Sequence, residues 1–247
     1  MNADTVGHPE KSARVRAMFD EIAPRYDLLN HVLSLNIDKG WRARAMRELD
    51  GILARPGARA LDLCCGTGDL SLALQSRFPR AEVIGLDFSL PMLAHAHAKG
   101  ERGRVLALVQ GDAMRVPLPD GSVDAITIAF GLRNLVSVEG GLAEMFRLLK
   151  PGGRLVVLEF SRPLVPVFRE VFQFYSSHIL PRIGGFVSGS RGAYAYLPAS
   201  VKAFPDQKTL AAMMTRAGFS AVGFRNLTGG VAALHVGDRE GSANNVA

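Results

Sequence analysis

The sequence has few cysteines and lacks any long hydrophobic run. Its two cysteines, Cys64 and Cys65, are adjacent, so they are poorly placed to pair with each other or to supply the spaced ligands of a metal site. No stretch of about 18 apolar residues is present, and a membrane-spanning helix is therefore not expected. Residues Met1 to Glu10 are polar and lack a hydrophobic signal core, which favours a cytoplasmic protein.

Basic charge is present but is not concentrated in one segment. A net charge of +6 and a pI of about 9.7 favour, taken alone, a nucleic-acid or anionic-membrane partner. The densest basic group, Arg42, Arg44 and Arg47, is more typical of a solvated helix face. No basic motif with interleaved aromatic residues is found, so we expect no nucleic-acid partner. The histidines show no zinc-ligand spacing, and no metal is expected.

A glycine-bracketed turn follows the apolar run that begins at Ala60. Gly66, Thr67 and Gly68 are candidate cofactor-binding residues, because glycines let main-chain N–H groups approach a ligand closely. Asp62, four residues earlier, could accept a hydrogen bond from a ligand's ammonium group. Such a carboxylate suits the cationic cofactor S-adenosylmethionine better than the pyrophosphate of NAD. The NAD interpretation stays open, although Ser71 stands where the dinucleotide motif has a third small residue.

Two more acids follow the next two apolar segments. Asp87 ends a strand about twenty residues after the turn and could accept from both ribose hydroxyls; the alternative is a capping or solvated aspartate. Asp112 could accept from the exocyclic amine of adenine while the N–H of Ala113 donates to a ring nitrogen. Ligands of open α/β sheets lie beyond the carboxyl ends of the strands, so these acids predict one nucleotide-cofactor site.

The order of elements predicts an α/β fold. Strands are expected to begin near Ala60, Glu82, Val105, Asp124 and Arg154, with helices between them, and this alternation is typical of a parallel sheet. Two final strands, separated by residues 228–230, predict an antiparallel hairpin. The expected class is a Rossmann-like, mostly parallel seven-stranded sheet ending in that hairpin.

We expect three regions along the chain. An N-terminal helical cap covers residues 1–50, and the main domain covers residues 51–237 with an insertion at 161–204. A disordered tail is predicted for residues 238–247. A helix is expected to run through Leu149 and to stop at Pro151.

Four further segments form recognisable motifs: Tyr26-Asp27-Leu28-Leu29-Asn30, Phe130-Gly131-Leu132-Arg133-Asn134, Arg147-Leu148-Leu149-Lys150-Pro151-Gly152-Gly153 and Phe204-Pro205-Asp206-Gln207. They resemble the motifs of the ubiquinone and menaquinone biosynthesis C-methyltransferases, class I enzymes that use S-adenosyl-L-methionine. The similarity runs from about Val15 to Gly237 and leaves out little more than the two termini. Ala129 departs from the pattern, since a serine that contacts the cofactor often stands there.

The resemblance implies methyl transfer to a ring carbon of a polyprenylated quinol. Demethylmenaquinol is the expected substrate, and the 2-methoxy-6-polyprenyl-1,4-benzoquinol precursor of ubiquinone or another small aromatic is the alternative. Arg133 is the first candidate for stabilising the phenolate, since a guanidinium stays charged, and Asn134 and Tyr26 are its expected helpers. The alternatives for Arg133 and Tyr26 are a surface salt bridge and an aromatic cap over the core.

The insertion is expected to accept the isoprenoid tail at an apolar entrance. Peripheral contact with the inner face of the membrane follows from this expectation, and a homodimer is a further expectation. The candidate lining and flanking residues are Phe168, Phe172, Phe174, Tyr175, Phe186, Arg162, Arg169 and Arg182.

Other classes fit the cofactor motifs as well. Methyltransferases acting on planar amines commonly carry an Asn-Pro-Pro-aromatic stretch after the fourth strand, where this chain has Ala129-Phe130-Gly131-Leu132. An NAD-dependent oxidoreductase would use similar glycines. A non-catalytic module would bind the cofactor and leave a quinol unmethylated.

Overall fold

A seven-stranded sheet organises the residues that the structure describes. The structure is a computed structural model and describes residues 8–27, 36–100, 107–163 and 191–241. The strands are β1 Arg59–Leu63, β2 Glu82–Asp87, β3 Ala107–Gln110, β4 Val123–Ala129, β5 Leu149–Phe160, β6 Ser220–Leu227 and β7 Ala232–Asp238. The α-helices are α1 His8–Ile22, α2 Ile37–Arg47, α3 Asp50–Leu53, α4 Asp69–Arg77, α5 Leu90–Gly100, α6 Val138–Leu148, α7 Arg191–Ala203 and α8 Gln207–Arg216. Short 3₁₀ turns lie at Ala23–Arg25, Leu132–Asn134 and Thr228–Gly230.

The strand order is β3-β2-β1-β4-β5-β7-β6. The five strands from β3 to β5 run parallel, and β7 is antiparallel to both β5 and β6. Because β1 is the middle one of the five parallel strands and the chain first builds outward to β3 and then returns to β4, the ends of β1 and β4 form the topological switch point. The predicted fold class and the terminal hairpin are confirmed.

The core lies on both faces of the sheet, as expected for parallel strands covered by helices on each side. Leu61 and Leu63 of β1 face a cluster that includes Leu142 and Met145 of α6. Ala60, which precedes Leu61, faces the opposite cluster. The alternation follows from the two-residue repeat of a strand. β1 is therefore held from both sides, and this gives the turn that follows it a rigid base.

The N-terminal helices contribute to both the core and the site. Trp41 of α2 is buried in the second cluster and donates from Nε1 to Thr228 Oγ1 at 3.0 Å. Helix α1 lies over the carboxyl ends of the strands, where Lys11 Nζ donates to the Leu135 carbonyl at 2.8 Å. The described helices include none long and apolar enough to cross a membrane.

Two boundaries differ from the sequence predictions. Leu149 pairs with Val123, so β5 begins at the residue expected to end the preceding helix, and a register shift accommodates the glycine-rich turn. β7 continues to Asp238, and the Arg239 side chain donates to the carbonyls of residues 146, 147 and 149. The sequence prediction therefore places the start of the tail too early, at residue 238.

Some predicted positions lie outside the described residues. These are Leu28, Leu29 and Asn30 of the N-terminal motif, the strand start at Val105, and the insertion residues Phe168, Arg169, Phe172, Phe174, Tyr175, Arg182 and Phe186.

Candidate active site

A pocket opens at the carboxyl ends of β1, β2, β3 and β4, beneath α1. The pocket lies at the topological switch point, where open α/β sheets bind their ligands. Residues from the turn after β1, the end of β2 and the segment after β3 line it together, so the three predicted acid-bearing segments do converge.

The turn after β1 is held in an unusual backbone conformation. Cys64, Gly66 and Gly68 all have positive φ, at 54°, 55° and 81°. Gly66 lines the pocket, and Gly68 immediately precedes α4. Thr67 is buried and its hydroxyl donates to Asp27, which follows α1. The turn therefore presents main-chain atoms to the pocket and is tied to the N-terminal segment.

Asp62 lies beneath this turn and is only 1% exposed. Its Oδ2 accepts from Ser71 Oγ at 2.6 Å and its Oδ1 from Thr127 Oγ1 at 2.7 Å. Burial raises the pKa of Asp62 from 3.8 to about 6, although the two hydroxyl hydrogen bonds oppose the change. Asp62 is not among the residues on the pocket wall, in contrast to Gly66 and Asp87.

Asp87 ends β2 on the wall of the pocket. One carboxylate oxygen accepts from the Gly66 N–H and the other from the Ser89 N–H, both at 2.9 Å. Burial raises the pKa of Asp87, while these backbone hydrogen bonds lower it. The side chain thus fixes the glycine turn and still presents acceptor lone pairs at the pocket.

The segment after β3 supplies a more open part of the wall. Asp112 is exposed, accepts from the Met114 N–H at 2.9 Å and lines the pocket. Ala113 is buried and lies on the wall beside it. Phe88, which directly follows Asp87, adds an aromatic face. This set of one acid, one small residue and apolar neighbours can hold a flat heterocycle.

The end of β4 meets the end of β1 at very close range. Phe130 has φ of 58°, a conformation that a bulky residue rarely adopts. The next residue is Gly131, where an added Cβ would lie 2.5 Å from Cys64 Cβ. Ala129 also lines the pocket and presents a methyl group there.

Arg133 lies behind the pocket wall and is not on it. Its side chain is 8% exposed and pairs with Glu159, which is 1% exposed, at 2.6 Å between Nη1 and Oε1. The same Nη1 donates to the Phe130 carbonyl at 2.5 Å, and the guanidinium stacks over the Phe160 ring at 5.3 Å. The exposed surface salt bridge considered as an alternative is therefore wrong, because the pair is buried.

Asn134 and Tyr26 do line the pocket. Asn134 Nδ2 donates to the Phe130 carbonyl at 3.2 Å, and its Oδ1 accepts from the Tyr196 hydroxyl at 3.1 Å. Tyr26 lies close to the glycine turn, with Cε1 3.8 Å from the position of a Cβ on Gly66. The predicted catalytic set is therefore split into one buried cation and two residues that reach the pocket.

Several residues of the site were not found from the sequence. Ser12 and Phe19 of α1 line the pocket across a long sequence separation, and no local pattern predicts this. Phe88 and Met92 could have been found, because they follow Asp87 directly and at helical spacing. Glu159 had a signal as well, since it is an acid near the end of a buried apolar strand.

The described residues of the site include neither a reactive thiolate nor a metal centre. Burial raises the pKa values of Cys64 and Cys65, so both thiols stay protonated at neutral pH. Among the described residues, no group of three His, Cys, Asp or Glu side chains could hold a metal ion.

Solved structures identify the class of fold. A structure described as an S-adenosylmethionine-dependent methyltransferase, possible histamine N-methyltransferase, from Thermotoga maritima aligns with TM-score 0.62 at 17% identity, covering 92% of this chain and all of its own. The [4+2]-cyclase SpnF aligns with TM-score 0.65 at 19% identity, covering 93% and 97%. At such identities the likeness shows the fold alone. That fold is the Rossmann-like methyltransferase fold.

The sequence comparison identifies the family. Residues 8–239 match the ubiE/COQ5 methyltransferase family, and the chain belongs to it. A demethylmenaquinone methyltransferase of Thermus thermophilus is 54% identical, with 90% of this chain and all of the relative covered. A demethylmenaquinone methyltransferase of Deinococcus radiodurans is 50% identical, with 93% of this chain and 94% of the relative covered. A ubiquinone/menaquinone biosynthesis C-methyltransferase of Syntrophotalea carbinolica is 48% identical, with 91% of this chain and 93% of the relative covered. The predicted family is confirmed, and the protein is a methyltransferase.

Proposed function

We propose that this protein transfers a methyl group from S-adenosyl-L-methionine to a ring carbon of demethylmenaquinol, giving menaquinol. The observation that carries the proposal is a pocket walled by Gly66, Asp87 and Asp112 at the switch point of a chain in this family. The relatives with the highest identities given above are named for demethylmenaquinone, which favours the menaquinone precursor over the ubiquinone one.

The pocket residues fit the parts of the cofactor. Asp87 would accept from the ribose hydroxyls, and Asp112 with the Ala113 N–H would hold the adenine edge beside Phe88. Gly66, Thr67 and Gly68 would surround the amino-acid part. Asp62 would favour its ammonium group through a negative charge beneath the turn. When bound, the cofactor supplies an electrophilic methyl group on a sulfonium.

The chain must make the quinol carbon nucleophilic and hold it close to that methyl group. Loss of the hydroxyl proton raises the electron density on the ortho carbon, and loss of the ring proton after methylation restores aromaticity. Asn134 can donate from Nδ2 to the developing phenolate, and Tyr26 can position the ring over the glycine turn. Arg133 and Asn134 both donate to the Phe130 carbonyl, so the buried Arg133–Glu159 ion pair lies directly behind Asn134, in a region where its field is poorly screened.

The substrate carries an isoprenoid tail, so we propose that the enzyme works at the inner face of the membrane. Exposed apolar side chains support such contact, with Leu90 57% and Ile37 43% exposed, as does the net charge of +6. Arg162 is exposed at the start of the insertion. The homodimer stays a prediction that sedimentation of the purified protein tests.

The activity test uses the purified protein, S-adenosyl-L-methionine and reduced quinols in anionic vesicles. We expect demethylmenaquinol to gain one methyl group faster than the methoxy-polyprenyl-benzoquinol, measured by mass spectrometry. Binding of S-adenosyl-L-methionine without methylation of either quinol would indicate a non-catalytic cofactor-binding module. Binding of NAD in place of S-adenosyl-L-methionine would indicate an oxidoreductase.

The role of the Arg133 charge needs a double substitution. Arg133→Ala alone would strand the buried Glu159 carboxylate, a change that typically costs about 3–5 kcal/mol of stability. In Arg133→Gln with Glu159→Gln, two neutral amides can keep a hydrogen bond. We expect turnover to fall more than about tenfold while cofactor affinity stays within about threefold, since the pair lies off the pocket wall. Unchanged turnover would remove the charge from the mechanism.

A further inference from the structure

Tyr196 lies outside the pocket but contacts a residue on its wall. It belongs to α7, the helix that packs beside α1 and the 3₁₀ turn containing Asn134. The Tyr196 hydroxyl lies 3.1 Å from Asn134 Oδ1. The neighbouring Leu197 packs against Ile22 and Met92, so the helix is anchored in its own apolar cluster. The hydroxyl is therefore held in place independently of any ligand.

The hydrogen bonds of Asn134 define which way its amide faces. The Phe130 carbonyl can only accept, so the group 3.2 Å from it must be the Nδ2 amide nitrogen. Asn134 Oδ1 then faces Tyr196, whose hydroxyl must donate. The amide nitrogen carries a second hydrogen, and no hydrogen bond among the described residues uses it.

The Phe130 carbonyl alone does not hold this orientation. It also accepts from Arg133 Nη1 at 2.5 Å, so both of its lone pairs are engaged and the longer Asn134 contact is the weaker one. Without the Tyr196 hydroxyl, the half-buried Asn134 would lose the hydrogen-bond donor to its Oδ1, and the amide could rotate. Burial raises the pKa of the Tyr196 phenol, so it keeps its proton and remains a donor at neutral pH.

We propose that Tyr196 is a positioning residue, whose hydroxyl orients the Asn134 amide so that its second N–H points at the quinol oxygen. This proposal rests on the proposed function, because it requires Asn134 to act on the substrate. It connects the insertion that carries α7 with the chemical step. A donor held in advance needs no reorientation as charge develops on the oxygen.

The test compares Tyr196→Phe, Asn134→Ala and the double variant, with Ser200→Ala as control. Phenylalanine keeps the packing of the ring, and Ser200 lies one turn further along α7 with its hydroxyl on the Leu197 carbonyl. We expect Tyr196→Phe to lower kcat about two- to twelvefold, the range expected for one lost hydrogen bond. KM for the quinol and cofactor affinity should stay within about twofold, and Ser200→Ala should match the wild type.

The double variant separates positioning from simple stabilisation. If Tyr196 acts through Asn134, adding Tyr196→Phe to Asn134→Ala should lower kcat no further. An additive loss, or a Tyr196→Phe enzyme as active as the wild type, would overturn the proposal. A wild-type protein that binds the cofactor and methylates neither quinol would instead refute the proposed function, and the Tyr196 proposal with it.

Discussion

At the scale of single residues, the carboxylates of the site divide into two kinds. Asp87 lies on the pocket wall and fixes the glycine turn through two backbone N–H groups. Asp62 is buried beneath the turn with a hydroxyl on each oxygen. Both would have looked alike from the sequence, since each ends an apolar strand. Only the sheet geometry distinguishes a carboxylate that meets a ligand from one that supports the turn.

Asp62→Asn tests whether a buried charge is retained for binding at the expense of stability. The pKa of Asp62 is raised from 3.8 to about 6, so the folded state binds this proton more tightly than the unfolded chain. Its contribution favours folding below pH 3.8 and is lost as the pH rises to about 6. One pKa unit corresponds to about 1.4 kcal/mol, so the ionised Asp62 carboxylate lowers the free energy of unfolding by about 3 kcal/mol at pH 7.

We therefore expect Asp62→Asn to raise the stability at pH 7 by up to about 3 kcal/mol, or several °C in Tm, and to flatten the pH dependence between 4 and 6. Asparagine can still accept from one hydroxyl and donate to the other. Cofactor affinity should fall. Asp120→Asn, at a carboxylate whose side chain is 78% exposed, is the control for thermal unfolding and calorimetry. A variant that is less stable at pH 7 would contradict the expected cost of the charge.

At the scale of elements, the site depends on how closely β1 and β4 approach. Gly131→Ala would place a Cβ 2.5 Å from Cys64 Cβ, and real contacts of this kind are not that short. Cys64 itself and Phe130, which precedes Gly131, have positive φ, so the backbone has little freedom to adjust. We expect a loss of about 1–3 kcal/mol in stability and weaker cofactor binding.

Gly223→Ala is the matched control, because nothing lies within 4 Å of a Cβ at that position in β6. It should be neutral or slightly stabilising, by up to about 1 kcal/mol. Denaturant unfolding of both variants measures the difference. Equal stabilities would mean that the junction between β1 and β4 is not under steric constraint.

The elements were largely predictable, because apolar runs ending in glycine or acidic residues give the strands and their order along the chain. The start of β5 was not, since Leu149 fits the apolar face of the preceding helix and only its pairing with Val123 makes it a strand residue. The position of β7 between β5 and β6 is equally non-local. The partner of Arg133 was missed for the same reason, as Glu159 lies 26 residues further along the chain, on β5.

At the scale of the whole molecule, the N-terminal helix completes the site that the sheet begins. Ser12, Phe19 and Tyr26 line the pocket from above. Asp20 accepts from Ser89 Oγ at 2.5 Å, which ties α1 to the start of α5. The sequence predicted a helical cap but not its place over the cofactor pocket, because contacts between distant segments leave no local pattern.

Lys99 joins this cap to the sheet domain and offers a test of its role in ligand release. Its ammonium group contacts Asp27 Oδ2 at 2.5 Å and Asp69 Oδ1 at 2.7 Å, and Asp27 also accepts from Thr67 in the glycine turn. These side chains are about a quarter to a third exposed, so each pair contributes less than about 1 kcal/mol to stability. Removal of these ion pairs should therefore loosen the cap at little cost to the stability of the domain.

We expect Lys99→Met to increase the dissociation rate of the cofactor about three- to tenfold while Tm changes by only a few °C. High salt should raise the rate in the wild type and have less effect in the variant, since screening weakens the same contacts. Lys150→Met removes an ion pair with Asp124 at the start of β4, at the end of the strand away from the pocket, and should leave the rate unchanged. Stopped-flow displacement of the bound cofactor measures all three proteins. If Lys99→Met and Lys150→Met release it at the same rate, the cap does not control exit from the pocket, and the ligand must leave through the open side beside Asp112.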